Sequence, residues 1–159
     1  MNWVGWLNSL NFSPKHRMLE FYPSFFFLGI RIEKMSQDHR EMDVRLPLRW
    51  YLRNLHGSMF GGAICAVCDP LAAVLCEYLL DAQGTRVHVW SKSQTVDFLR
   101  PGRTSILFRV RVSDEDLSSI QEQLDGKGQA TRQFEFFGYG EQEEKVVRIL
   151  NTVFLKKKD

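Results

Sequence analysis

An acid in the middle of an apolar run, eight residues after a glycine pair, is the part of this 159-residue chain whose types and spacing most invite chemistry. Gly61 and Gly62 open the run Ala63-Ile-Cys-Ala-Val-Cys68, and Asp69 follows it. If a helix starts at the glycines, its first N–H groups are unpaired and carry about half a positive charge, enough to polarise a carbonyl oxygen. Glycine leaves no Cβ in the way of that approach. Asp69 then has the character of a general base or nucleophile, and Asn54 upstream can orient water or the reacting group. At 1.5 Å per residue the glycine amides and Asp69 lie about 12 Å apart along one helix, too far to act on one carbonyl. Two antiparallel copies of the helix bring an amide from one subunit to the acid of another, so the catalytic reading requires at least a dimer.

Each of these residues also has a plainer reading. Asp69-Pro70 is a good cap and first-turn pair for a helix that restarts after Cys68. Gly61 and Gly62 suit close helix packing, and Asn54 suits a turn. His56 lies 13 residues before Asp69, and a His with an acid is a proton-abstracting pair; a loop histidine without catalytic duty is the other description. Arg100 and Arg103 flank Pro101-Gly102 and fit either phosphate contacts or a solvated turn. Phe60, Trp90, Phe98 and the run Phe25 to Phe27 fit an apolar pocket or plain core.

The elements that must position these residues follow from periodicity. Ser13-Pro14 predicts a helix start, with Met18, Phe21 and Tyr22 as its stripe and Pro23 as its stop. Alternation over Met42, Val44 and Leu46 against Glu41, Asp43 and Arg45 predicts a hairpin spanning roughly residues 29 to 47, ended by Pro47. The central helix covers residues 60–80 and is apolar on more than one face, so it is buried on most sides. Strands follow at residues 86–98, 104–112, 129–137 and 145–155, the last two joined by a turn at Gly138 to Gly140. Ser113 to Asp116 is a capping box opening an inserted helix over residues 113–126, with Leu117, Ile120 and Leu124 on one face and Gly126 closing it. The whole reads as one α+β domain over residues 1–159: an N-terminal helical segment at 1–28, then an antiparallel sheet of about six strands around a long central helix.

Composition narrows the classes. A net charge of +2, with basic residues scattered apart from Lys156 to Lys158, argues against nucleic acid. Cys65, Cys68 and Cys76 are an odd set within one apolar segment, which favours reduced thiols and a cytoplasmic location; Cys65-Ala-Val-Cys68 has metal spacing, but as helix residues the pair reads as small core residues, and no metal is expected. Residues 1–12 hold Trp3, Trp6, Leu7, Leu10 and Phe12 without a basic n-region or cleavage site, which reads as a packing or oligomer-contact segment rather than a signal peptide. The longest apolar stretch carries Asp69 and Pro70 at its centre, and no membrane span is expected of it.

Asn54, Gly57, Phe60-Gly61-Gly62 and Asp69 have the spacing of a motif that resembles the PaaI-like acyl-CoA thioesterases of the hotdog fold. Val96-Asp-Phe-Leu-Arg-Pro-Gly102 is similar to that family's strand end at the substrate entrance. The two motifs and the element order cover about residues 14 to 155. Phe60 stands where the better-known thioesterases have His, and the chain looks most like an uncharacterised branch beside the PaaI group. The resemblance implies a homodimer or dimer of dimers that hydrolyses acyl- or aryl-CoA thioesters with no cofactor beyond the coenzyme A of the substrate. It implies catalytic roles for Asp69, Asn54, Gly61 and Gly62, and substrate contacts by Phe60, His56, Trp90, Arg100 and Arg103. A non-catalytic acyl-thioester or lipid-binding module is the alternative from another class, and a dehydratase or hydratase using His56 is a further one.

Overall fold

A computed structural model describes residues 19–158. The element order is α1 (Pro23–Leu28), β1 (Arg31–Met35), β2 (Glu41–Leu46), α2 (Gly61–Ala82), β3 (Val87–Phe98), β4 (Ile106–Arg111), α3 (Asp114–Lys127), β5 (Gln129–Tyr139) and β6 (Lys145–Lys157). All strand pairs are antiparallel, in the order β1-β2-β4-β5-β6-β3, so the sheet has six strands with β1 and β3 at its edges. The sheet wraps α2, which is the α+β hotdog arrangement expected.

Alternation in β2 is realised: Met42, Val44 and Leu46 are buried while Glu41, Asp43 and Arg45 are half-buried. Val44 pairs with Phe108 of β4, and Ile106, Phe108 and Val110 continue the same inward row. From β3 and β6, Val87, Ile149, Val153 and Leu155 close the core around Ile64, Val67, Leu71, Leu75 and Leu79 of α2. Helix α2 is long and apolar enough to cross a membrane by length and composition, but it is the core on which this sheet closes. Its exposed positions Gly62, Ala66 and Asp69 recur at four and three residues, one face left uncovered.

Four local expectations are corrected. Pro23, expected as a stop alone, also opens α1 directly after the short helical turn at residues 19–21, because at the first position its missing N–H would have had no partner anyway. The helix expected from Pro14 lies mostly outside the described residues, as do Trp3, Trp6, Leu7, Leu10 and Phe12. Asp69 does not restart a helix: α2 runs unbroken through Pro70, held by its burial against the sheet. Helix α3 ends at Gly128 rather than Gly126. Gly128 is the residue that takes the left-handed conformation, φ 68°, and returns its N–H to the Leu124 carbonyl. Strand β5 likewise runs past Gly138 to Tyr139, and the turn sits at Gly140 to Glu144.

Candidate active site

The loop that delivers the glycine pair is closed on itself by Asn54. Its Oδ1 accepts from the His56 N–H (2.9 Å) and the Ser58 N–H (3.2 Å), its Nδ2 donates to Ser58 Oγ (2.9 Å), and its own N–H donates to the Ser58 carbonyl (2.8 Å). Gly57 makes the reversal at φ 75°, a left-handed conformation that suits glycine. Asn54 therefore works as the turn residue of this loop, and its side chain is committed to Ser58 and His56. The His56 ring projects outward as an exposed side chain.

Two backbone bonds then fix where α2 begins. Met59 N–H donates to the Gly102 carbonyl and Phe60 N–H to the Leu52 carbonyl, both at 2.8 Å. The first of these brings the segment carrying Arg100 and Arg103 beside the helix start. Both arginines are exposed and have no carboxylate partner among the described residues. Phe60 is the N-cap residue and offers no side-chain acceptor to the helix. The Gly61 and Gly62 N–H groups have no acceptor among the described residues, as expected for a helix head without a polar cap.

The space that the glycines leave is not empty. A Cβ on Gly61 would lie 3.1 Å from the Phe98 ring, and one on Gly62 would lie 2.4 Å from the Phe60 ring. Both rings are more than half exposed, Phe60 at 56% and Phe98 at 54%. The amides thus sit between two movable aromatic side walls, a detail that residue spacing alone does not carry.

Asp69 lies two turns further on, on the exposed face of α2 that also carries Gly62 and Ala66. Its carboxylate makes no hydrogen bond or ion pair among the described residues. Its main-chain carbonyl, by contrast, receives Asn151 Nδ2 at 3.3 Å and the Ser91 hydroxyl. One turn earlier the Cys65 carbonyl receives Gln94 Nε2 at 3.2 Å. Ser91, Gln94 and Asn151 have no recognisable sequence signal, since they are ordinary polar residues on strands whose neighbours come from distant parts of the chain.

Beside the Ala66 face opens a cleft of about 840 Å³, lined by Phe26, Phe27, Ile30, Tyr51, Leu52 and Glu20 among others. Only Phe25 of the Phe25 to Phe27 run enters the core; Phe26 and Phe27 are exposed along the cleft, where Tyr51 Oη donates to the Phe27 carbonyl at 3.1 Å. Glu20 is buried in its wall and accepts from the Ile32 N–H at 2.9 Å and from Arg31 at 3.4 Å. Trp90 is not part of this grouping within one chain. It stacks on Phe154 at 4.6 Å between ring centroids, eight residues along β3 from Phe98, or about 26 Å at strand rise.

Cys68 and Cys76 are core residues of α2, and burial pushes both thiols up, Cys76 to about 12. They are neutral at physiological pH and act as small apolar groups. Among the described residues no group of three or more His, Cys, Asp or Glu is arranged to hold a metal ion.

Residues 15–154 match the family described as a domain of unknown function, DUF4442. No curated protein matches the chain. Among solved structures it is similar to PA5026 of Pseudomonas aeruginosa, a protein of unknown function described as "Probable Thioesterase", at 22% identity and a TM-score of 0.73 over 90% of this chain and 93% of that one. Thioesterase HI1161 of Haemophilus influenzae is similar at 14% identity and a TM-score of 0.68, covering 90% and 89%. The E. coli PaaI protein from the phenylacetic acid degradation operon follows at 20% identity and a TM-score of 0.61, covering 91% and 90%. At these identities the likeness establishes the hotdog fold of this chain.

Proposed function

The chain belongs to the DUF4442 family, and from that premise and its hotdog fold we propose that the protein hydrolyses acyl- or aryl-CoA thioesters in the cytoplasm, as a homodimer or dimer of dimers. The observation that carries the reading is the uncapped pair of Gly61 and Gly62 amides at the head of the helix whose exposed face carries the unpaired Asp69 carboxylate. In this mechanism the thioester oxygen rests on the glycine amides of one subunit, and Asp69 of a second copy takes a proton from water. The water oxygen adds to the carbonyl carbon, and the oxyanion that forms is held by the amides, a contact worth about 3 kcal/mol where single donors have been removed elsewhere. Collapse of the adduct breaks the carbon–sulfur bond, and the proton held by Asp69 passes to the departing thiolate.

Arg100 and Arg103, beside the helix start, pair with the phosphates of coenzyme A. The cleft by Phe26, Phe27 and Tyr51 takes the acyl or aryl group, and Phe60 and Phe98 flank the thioester. The outer edge of β3, the side away from β6, is long and unpaired and suited to meeting a second copy.

A binding module without turnover is the second reading, favoured by Phe60, whose ring leans over Gly62 where the better-known thioesterases have His. One experiment separates them: thiol release from short, long and aromatic acyl-CoAs by the wild type and Asp69→Asn. Turnover that falls by about 10² or more in the variant at unchanged melting temperature supports hydrolysis. Ligand-dependent melting with no turnover in either protein supports the binding module.

A further inference from the structure

Strand β3 contains a bulge at Lys92, where the pairing with β6 slips between Ser91 and Ser93. The slip changes which residues face the helix. Before it the inward positions are Val87, Val89 and Ser91; after it they are Gln94 and Val96. The bulge therefore turns Gln94 toward α2 three residues after Ser91, and Gln94 lies directly across the sheet from Asn151 of β6. Asn151 is fully buried in an otherwise aliphatic row.

These three side chains converge on two helix carbonyls. Gln94 Nε2 holds Cys65 O at 3.2 Å; Asn151 Nδ2 holds Asp69 O at 3.3 Å and contacts Ser91 Oγ at 3.2 Å; the Ser91 hydroxyl also reaches Asp69 O. Repair of the helix at Pro70 does not explain the pattern. Proline removes the N–H that would serve the carbonyl of Ala66, four residues back, whereas the sheet's donors go to Cys65 and to Asp69 itself. Nor does stability alone ask for a buried amide here, since an aliphatic residue would fill the site without a desolvation cost.

We propose that Ser91 and Asn151 are positioning residues for Asp69: by gripping its carbonyl they fix the peptide plane between Asp69 and Pro70, and with it the direction in which the carboxylate leaves the helix. The role rests on the thioesterase reading above. A carboxylate that must reach a carbonyl bound on another subunit has little tolerance, because a misplacement of about 1 Å is enough to cost 10²-fold in rate. Two donors from different strands tie the turn to the sheet at the point where that accuracy is needed.

The test compares Ser91→Ala, Ser91→Thr and Asn151→Leu with the wild type and Asp69→Asn, using a hydrolysed acyl-CoA and recording kcat, KM and melting temperature. Asn151→Leu keeps the volume, and Ser91→Ala makes a minimal change should the former fold poorly. The expected result is a kcat about tenfold lower in Ser91→Ala and Asn151→Leu at near-constant KM, with Ser91→Thr, which keeps the hydroxyl, close to wild type. Wild-type kcat in both donor-less variants, with only the melting temperature altered, overturns the positioning role and leaves the thioesterase reading standing. Turnover that survives in Asp69→Asn, or a wild type that hydrolyses no acyl-CoA, overturns that reading and the positioning role with it.

Discussion

Under the proposed hydrolysis, Gly62 places activity and stability in opposition. A methyl group there strikes the far end of the Phe60 ring, which is exposed and free to swing aside. Alanine also gains up to about 1 kcal/mol over glycine in a helix. Gly62→Ala is therefore expected to melt at or above the wild-type temperature while kcat/KM for an acyl-CoA falls, since the new Cβ stands before the amides. Calorimetry and thiol release on the same preparation check both halves. An unchanged kcat/KM would remove the amides from the mechanism. Asn54 belongs to this scale too: its type and spacing matched a catalytic role, but whether its amide meets a substrate or its own loop is decided by where Ser58 and His56 fall.

At the level of elements, α2 tolerates Pro70 because sheet packing supplies what the missing N–H does not. Pro70→Ala restores a donor to Ala66 and is expected to stabilise the fold by about 1–3 kcal/mol, read as a raised denaturation midpoint, while turnover falls as the turn at Asp69 relaxes. Helix α3 gives a second prediction, at its capping box. Ser113 Oγ accepts from the Asp116 N–H at 3.1 Å, the Ser113 N–H donates to Asp116 Oδ2 at 2.9 Å, and Arg132 pairs with Asp116 Oδ1 at 2.7 Å. Burial pushes the Asp116 carboxyl up, but the Ser113 bonds and Arg132 outweigh it and hold it below the usual 3.8. A carboxyl lowered by folding stabilises the native state above its unfolded value, and that contribution disappears as the pH falls through the folded value. The melting advantage of the wild type over Asp116→Asn is thus expected in full at pH 6 and to be lost progressively as the pH falls from about 4 through the lowered folded value. The box itself was legible, because its residues are sequence neighbours. The stop at Gly128 was not, since Gly126 and Gly128 are equally able to end a helix, and only the folded backbone shows that it is Gly128 that turns left-handed and returns its N–H to the Leu124 carbonyl.

For the whole molecule, the roughly 12 Å between the glycine amides and Asp69 makes turnover in the proposed mechanism a property of an assembly. Specific activity is expected to fall on dilution through the dissociation range, in step with the loss of the dimer seen by sedimentation, and an active monomer would refute the two-subunit site. The exposed Gly62, Ala66 and Asp69 face and the open β3 edge are the surfaces from which such an assembly would be built.

By itself the sequence determined what local periodicity controls: the alternating strands, the buried helix, the capping box of α3 and the spacing of Gly61, Gly62 and Asp69. These depend on side chains a few residues apart. Only the tertiary structure decided that Phe26 and Phe27 line a cleft while Phe25 enters the core, that Phe60 and Phe98 flank the glycines, that Trp90 pairs with Phe154, and that Ser91, Gln94 and Asn151 grip the turn at Asp69. Each of those contacts joins segments far apart in the chain, and a one-residue bulge at Lys92 sets which side chains face inward, so no local pattern carries them.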